Sequence, residues 1–200
     1  MKRDELNVLA DKYYEVMDIP EEKKEKRKED AWELFDLFML FFLWFEEAEE
    51  NGVENTSYFL PRFQNELQDT ISKLAVIDDY LISYIAIMAL GIYTVTQAHK
   101  KEKYYLSENR AVNLALNESL TINNYLDYKQ AVTQGYKYKV WVSQLDERTR
   151  EEHILMDMTK IPIDGYFEFS DCRMLFAHDV NNGTPDQLAN CRCATRYVKE

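Results

Sequence analysis

The run from Trp32 to Phe45, WELFDLFMLFFLWF, is apolar almost all the way round at helical period. Such a helix has no face to give to water and must be covered on every side. It stops at Asn51-Gly52, where a glycine can take the left-handed conformation that ends helices. A chain of 200 residues builds only one sizeable domain or two small ones, so complete cover is hard to supply from within. Part of the set Trp32, Phe35, Phe38, Phe41, Phe42, Trp44 and Phe45 is therefore expected to pack on another chain, with Trp32, Phe38, Phe42 and Trp44 as the assigned partner interface.

The flanks are helical as well. Residues 1–30 read as an amphipathic helix carrying Leu6, Leu9, Tyr13 and Val16. Pro20 then opens a charge block, EEKKEKRKED, that suits a solvated helical start. Downstream, Phe63, Leu67, Ile71, Leu74, Ile77, Leu81, Ile85, Met88 and Ile92 recur at spacings of three and four, which predicts one long helix from about Pro61 to Lys101 with a kink near Gly91. A fourth helix, from about Ser107 to Gln134, carries Val112, Leu116, Leu120, Ile122 and Tyr125 and ends at Gly135.

Beyond Gly135 the texture changes. YKYKVWV alternates like a strand, DERTREEHILMDM is a polar turn entering a short helix, and IPIDGYFEF reads as a strand or hairpin around Asp164-Gly165. HDVNNGTPDQLAN is loop by composition, and CRCATRYV finishes as a strand. The expected fold class is α+β: an N-terminal helical bundle over 1–135 and a small C-terminal α+β domain with short antiparallel strands over 136–200.

Charge narrows the partners. The formal net charge is -12, and residues 136–200 hold 9 Lys+Arg against 11 Asp+Glu, so the first 135 residues carry -10. An acidic helical part suits a basic protein surface, and only a local patch of Lys137, Lys139, Arg148, Arg150, Arg192 and Arg196 could give weak DNA contact. The N-terminus does not read as a secretory signal, and the apolar segments Leu37–Phe45 and Tyr80–Val95 fall short of the roughly 18 to 20 residues of a membrane span. Both are read as buried helices, with no membrane partner.

Three cysteines all lie beyond residue 170. Cys191-x-Cys193 in an extended strand would present two thiols on one side and Arg192 on the other, with Cα atoms about 6.6 Å apart, near the limit for a relaxed disulfide. Gripping one ion is the better use of such a pair. A structural Zn2+ is the expected cofactor, with His153 as third ligand and the fourth among Cys172, His178, Asp146 and Asp171. The alternative is that both cysteines are small buried residues and that His153 hydrogen-bonds a backbone carbonyl.

Trp141, Asp146, Arg148, Arg150 and His153, then the Ile163-Asp-Gly-x-Phe167 segment, then Asn190-Cys191-Arg192-Cys193, resemble the C-terminal domain of the Mu F-like, head-morphogenesis family of tailed-phage minor head proteins. Upstream, Asn109 to Tyr136 is similar to that family's preceding helix, with Ala115 and Glu118 at matching places. The chain has Met156-Asp157-Met158 where the family often has a Gly-centred segment, and His178 where it often has proline. The resemblance implies a virion component present in few copies at the portal or capsid interior, found in the host cytoplasm during assembly. It would act with portal and capsid proteins in head morphogenesis and in DNA packaging or delivery.

A different reading is a metal-dependent hydrolase or toxin-like enzyme with Glu151 or Glu152 as general base. A fourth protein ligand would close the ion to water, and the chain carries no phosphate loop or Ser/His/Asp pattern, so a non-enzymatic protein is expected.

Overall fold

The computed structural model describes residues 3–14, 19–52 and 56–200. Val16, one of the apolar positions of the first expected helix, lies outside them, as does the side chain of Leu6. The fold class is α+β. Helices α1 (Arg3–Tyr14), α2 (Glu21–Glu50), α3 (Thr56–Leu74), α4 (Asp79–Ala98) and α5 (Glu108–Thr133) precede a C-terminal part built from β1 (Tyr138–Val142), α6 (Glu151–Met156), β2 (Lys160–Pro162), β3 (Phe167–Glu168), β4 (Arg173–Met174), α7 (Pro185–Leu188) and β5 (Ala194–Val198).

The chain forms two units whose boundaries fall inside α2 and α5. Glu29–Leu116 make the first, and Lys2–Lys28 with Asn117–Glu200 make the second.

In the first unit the apolar run of α2 finds its cover within the chain. Phe41 stacks on Phe63 of α3 with ring centroids 4.0 Å apart, Phe38 meets the same ring edge-on, and Phe45 meets Phe59 and Tyr93. Phe38 and Phe42 are buried, with Arg110 lying over the Phe42 ring. The expectation that these two rings meet a partner is therefore corrected. Trp32 and Trp44 are half-buried, Trp32 against Phe35 and Trp44 beneath the Arg62 guanidinium. The large apolar residues of this helix that do face outward are Leu40 and Leu43.

The single helix expected from Pro61 to Lys101 is two. Its stripe is interrupted after Leu74, and Asp78 caps the new helix by accepting a hydrogen bond from the Leu81 N–H at 3.1 Å. The break comes there rather than at Gly91 because an Asx cap supplies acceptors that a helix interior cannot use. At 20 residues α4 is long and apolar enough to cross a membrane, longer than the apolar segment alone suggested. One face, with Leu81, Tyr84, Ile85, Met88 and Ile92, is buried.

In the second unit β1 is the centre of a three-stranded antiparallel sheet ordered β2-β1-β5. Val140 pairs with Lys160 on one side and Arg196 on the other. The segment Ile161–Phe169 is not a hairpin. Its first half belongs to β2 and its second half to β3, which pairs with β4 through Phe167–Met174 in a separate two-stranded sheet. The turn at Asp164-Gly165, with the Gly165 N–H bonded to Pro162 O, carries the chain from one sheet to the other. The core between them is Trp141, Phe167, Met174, Ala177, Cys191 and Cys193. The stretch expected as loop before the cysteines contains α7, with Pro185 at its first turn.

Candidate metal centre

His153, Cys191 and Cys193 are all buried, and their ligand atoms lie within 4.8 Å of one another. Cys191 and Cys193 are not in a strand. They follow Asn190, which is left-handed at φ 55° after the short helix α7, and they end where β5 begins. This turn, with the Cys193 N–H 3.5 Å from Cys191 Sγ, folds both thiols toward one nitrogen. His153 Nδ1 stands 3.5 Å from Cys191 Sγ and 3.4 Å from Cys193 Sγ. Zinc bonds of about 2.3 Å to sulfur and 2.0 Å to nitrogen at a tetrahedral angle separate those atoms by about 3.5 Å. The spacing fits a shared ion.

The histidine is also in the right tautomer. Its Nε2–H donates to Gln187 Oε1 at 3.0 Å, and Gln187 is oriented because its amide nitrogen donates to Glu152 and Asp171, each at 3.0 Å. With the proton on Nε2, the lone pair of Nδ1 faces the thiols. Cys191 and Cys193 hold their protons unequally. A hydrogen bond from the Cys191 thiol lowers Cys193, helped by His153, while the same partnership and burial raise Cys191. Cys193 is thus the thiol that ionises more readily of the two.

The backbone beneath the thiols is pinned at three successive carbonyls. His178 Nε2 donates to Cys191 O at 2.7 Å, Gln144 Nε2 to Arg192 O at 3.0 Å, and Asn124 Nδ2 to Cys193 O at 3.4 Å. Burial pushes His178 down to about 4, so its neutral ring serves as donor on one side and takes the Thr121 hydroxyl on the other.

None of the four expected fourth ligands joins the cluster. His178 is used as described. Asp146 pairs with Arg192 and accepts from Thr149 and from the Arg148 N–H. Burial raises its carboxyl, but these hydrogen bonds outweigh it and hold the group low. Asp171 accepts from Thr184 and Gln187, and Cys172 packs at the edge of the core. Asp171 thus acts one shell further out, orienting Gln187.

The motif residues wrap this turn. Trp141 is fully buried with ring centroids 5.3 Å from His153 and 5.1 Å from Phe167, and its indole N–H donates to Ser143 Oγ, which in turn donates to His153 O. Arg150 donates to Ala189 O at 2.7 Å, tying the start of α6 to the end of α7. Of the basic residues proposed for DNA, Lys139 is buried with its ammonium on the carbonyls of Ile163 and Leu175, and Arg192 is buried against Asp146. Neither is available to phosphate. Arg148, Lys137 and Arg196 remain exposed.

Gln187, Gln144, Asn124 and Ser143 escaped the sequence reading. Isolated amides and a serine carry no spacing signal, and only their contacts reveal them.

Residues 86–196 match the family described as Phage Mu protein F like protein. The chain belongs to that family. The match runs from within α4 into β5 and takes in His153, Cys191 and Cys193 of the candidate centre. No curated protein and no solved structure matches the chain. Membership makes it a bacteriophage head-morphogenesis protein whose setting is the virion and whose partners are other capsid components.

Proposed function

We propose that this Mu F-like protein is a minor head component associated with the portal or the capsid interior, where it acts in head morphogenesis and in DNA packaging or delivery. The family match carries the reading. The helical residues 1–135 would serve docking and residues 136–200 would form the particle-side α+β domain, stabilised by Zn2+ on His153, Cys191 and Cys193. Support for a stabilising rather than catalytic ion comes from the space beside it. The cavity that the three ligands share with Gln144, Arg148, Thr149, Arg150, Asn190 and Arg192 is only about 10 Å³, room for one water and none for a substrate. Glu152, one of the two bases of the hydrolase reading, is taken up by Gln187 and the Ser170 N–H.

Quantitative mass spectrometry of purified particles tests the role. The protein should be present at few copies per head, and heads assembled without it should show defective morphology or DNA content. Its absence from mature and immature particles alike would sink the proposal.

A further inference from the structure

Resting on the assignment of His153, Cys191 and Cys193 as ligands, we propose that the fourth ligand of the ion is an exchangeable water molecule held by the side-chain oxygen of Gln144. Three protein ligands leave a tetrahedral ion one position short. Among the described residues, the side chains of His178, Asp146 and Ser143 that could fill it are committed elsewhere. His178 Nε2 is bonded to Cys191 O, and Asp146 to Arg192 and Thr149. Ser143 Oγ, 3.8 Å from Cys193 Sγ, gives its proton to His153 O and takes one from Trp141.

Gln144 is different. Its Nε2 donates to Arg192 O, which fixes the orientation of the amide, because the flipped form would set two carbonyl-type oxygens against each other. Its Oε1 is then buried with no hydrogen-bond partner, and the residue lines the same small cavity as all three ligands. A buried acceptor left alone is costly, and such groups are met by ordered water where the space allows. The cavity of about 10 Å³ is that space. A water bound there to the ion would give one proton to Gln144 Oε1. The site is thus completed by solvent, not closed by a fourth side chain.

Cobalt(II) substitution of the full-length protein reads this directly. Co2+ added to reduced, metal-free protein should give sulfur-to-cobalt charge-transfer bands and tetrahedral visible bands, and oxygen-17 water should broaden the cobalt electron paramagnetic resonance signal as it takes the place of the bound water. Gln144→Leu should keep the charge-transfer bands and exchange the water about fivefold faster in oxygen-17 relaxation measurements, since the water loses a hydrogen bond. Charge-transfer bands without oxygen-17 broadening would overturn the water ligand while leaving the three-residue centre intact. An exchange rate unchanged in Gln144→Leu would overturn the role of Gln144. Absence of charge-transfer bands, in protein whose circular dichroism shows it folded, would overturn the metal assignment itself.

Discussion

Gln187 Oε1 accepts the Nε2 proton of His153 at 3.0 Å, and that single contact decides which ring nitrogen faces the two cysteines. The amide cannot turn, because Glu152 and Asp171 both take protons from its other end. Gln187→Leu should therefore leave the fold in place and weaken Zn2+ binding by about 10- to 100-fold, the usual cost of losing such an orienting partner. Competition against a chelator of known affinity measures it. An unchanged affinity would show that the tautomer is set by something else.

Removing the ion, or one ligand, should loosen the second unit selectively. Cys191 and Cys193 belong to its core beside Trp141 and Phe167, so chelation leaves two polar thiols and His153 facing one another in an apolar setting. Structural zinc sites in small domains contribute on the order of 10 kcal/mol, comparable with a whole domain's stability. Cys193→Ser or a strong chelator should abolish the near-ultraviolet signal of Trp141 while most far-ultraviolet helical signal persists. A protein purified natively without stoichiometric metal, and equally stable in chelator, would reduce the cysteines to packing residues.

The α+β class, the glycine stops at Gly52 and Gly135, and the union of His153 with the two cysteines were all legible beforehand. Gly52 at φ 68° and Gly135 at φ 73° both adopt the left-handed conformation that their positions after apolar runs implied. Period and turn chemistry are local signals and survive folding. What could not be read was which faces meet. Phe38 and Phe42 looked like surplus apolar surface because the run of α2 says nothing about α3, whose Phe63 covers the neighbouring rings. Likewise Ile161–Phe169 has a hairpin's turn residues, but β1 and β4 compete for its two halves and win. The geometry assumed for Cys-x-Cys failed for the same reason: Asn190 turns the chain before the strand starts.

Asp146 is the sole ion-pair partner of the buried Arg192 among the described residues, and Arg192 lies between the two cysteines. Asp146→Asn keeps the acceptor for the Arg148 N–H and removes the charge, so a buried guanidinium is left uncompensated. A loss of about 2 kcal/mol in urea unfolding is expected, discounted because the carboxylate is partly exposed. Because Asp146 is held below the ordinary carboxylate range when folded, its contribution is complete above that range and is lost as pH falls through its folded value. The variant's deficit should accordingly shrink in acid, and a deficit constant down to low pH would contradict the ion-pair account.

Lys139 gives a slope of the same sign at the alkaline end. Burial lowers its ammonium from 10.5 to about 8, with Asp179 and Asp164 resisting the shift. Between those values the unfolded chain binds a proton that the folded chain has released, so stability rises with pH across that window and is flat below it. The gain is at most about 3 kcal/mol. Urea midpoints from neutral to about pH 10, compared with Lys139→Met, should show a rise in the parent that the variant lacks. Parallel curves would mean that the two carbonyls on its ammonium keep it charged throughout.

The last prediction concerns the surface through which a head protein meets its neighbours. The outward face of α4 carries Ile82, Ile87, Leu90 and Val95, each more than 40% exposed, and no charged residue lies between Tyr80 and Ala98. An apolar face of this kind is seldom left to water in a monomer, and a second copy of the chain is the occupant expected for it. The purified chain should therefore self-associate with concentration in sedimentation velocity. Ile82→Glu combined with Leu90→Lys should restore a monomer without loss of helical signal, because both side chains stand clear of the buried face that packs within the first unit. A parent that stays monomeric at high concentration and floats with phospholipid vesicles would assign the stripe to lipid. A parent that does neither would leave the face without a partner and refute the docking role of this helix.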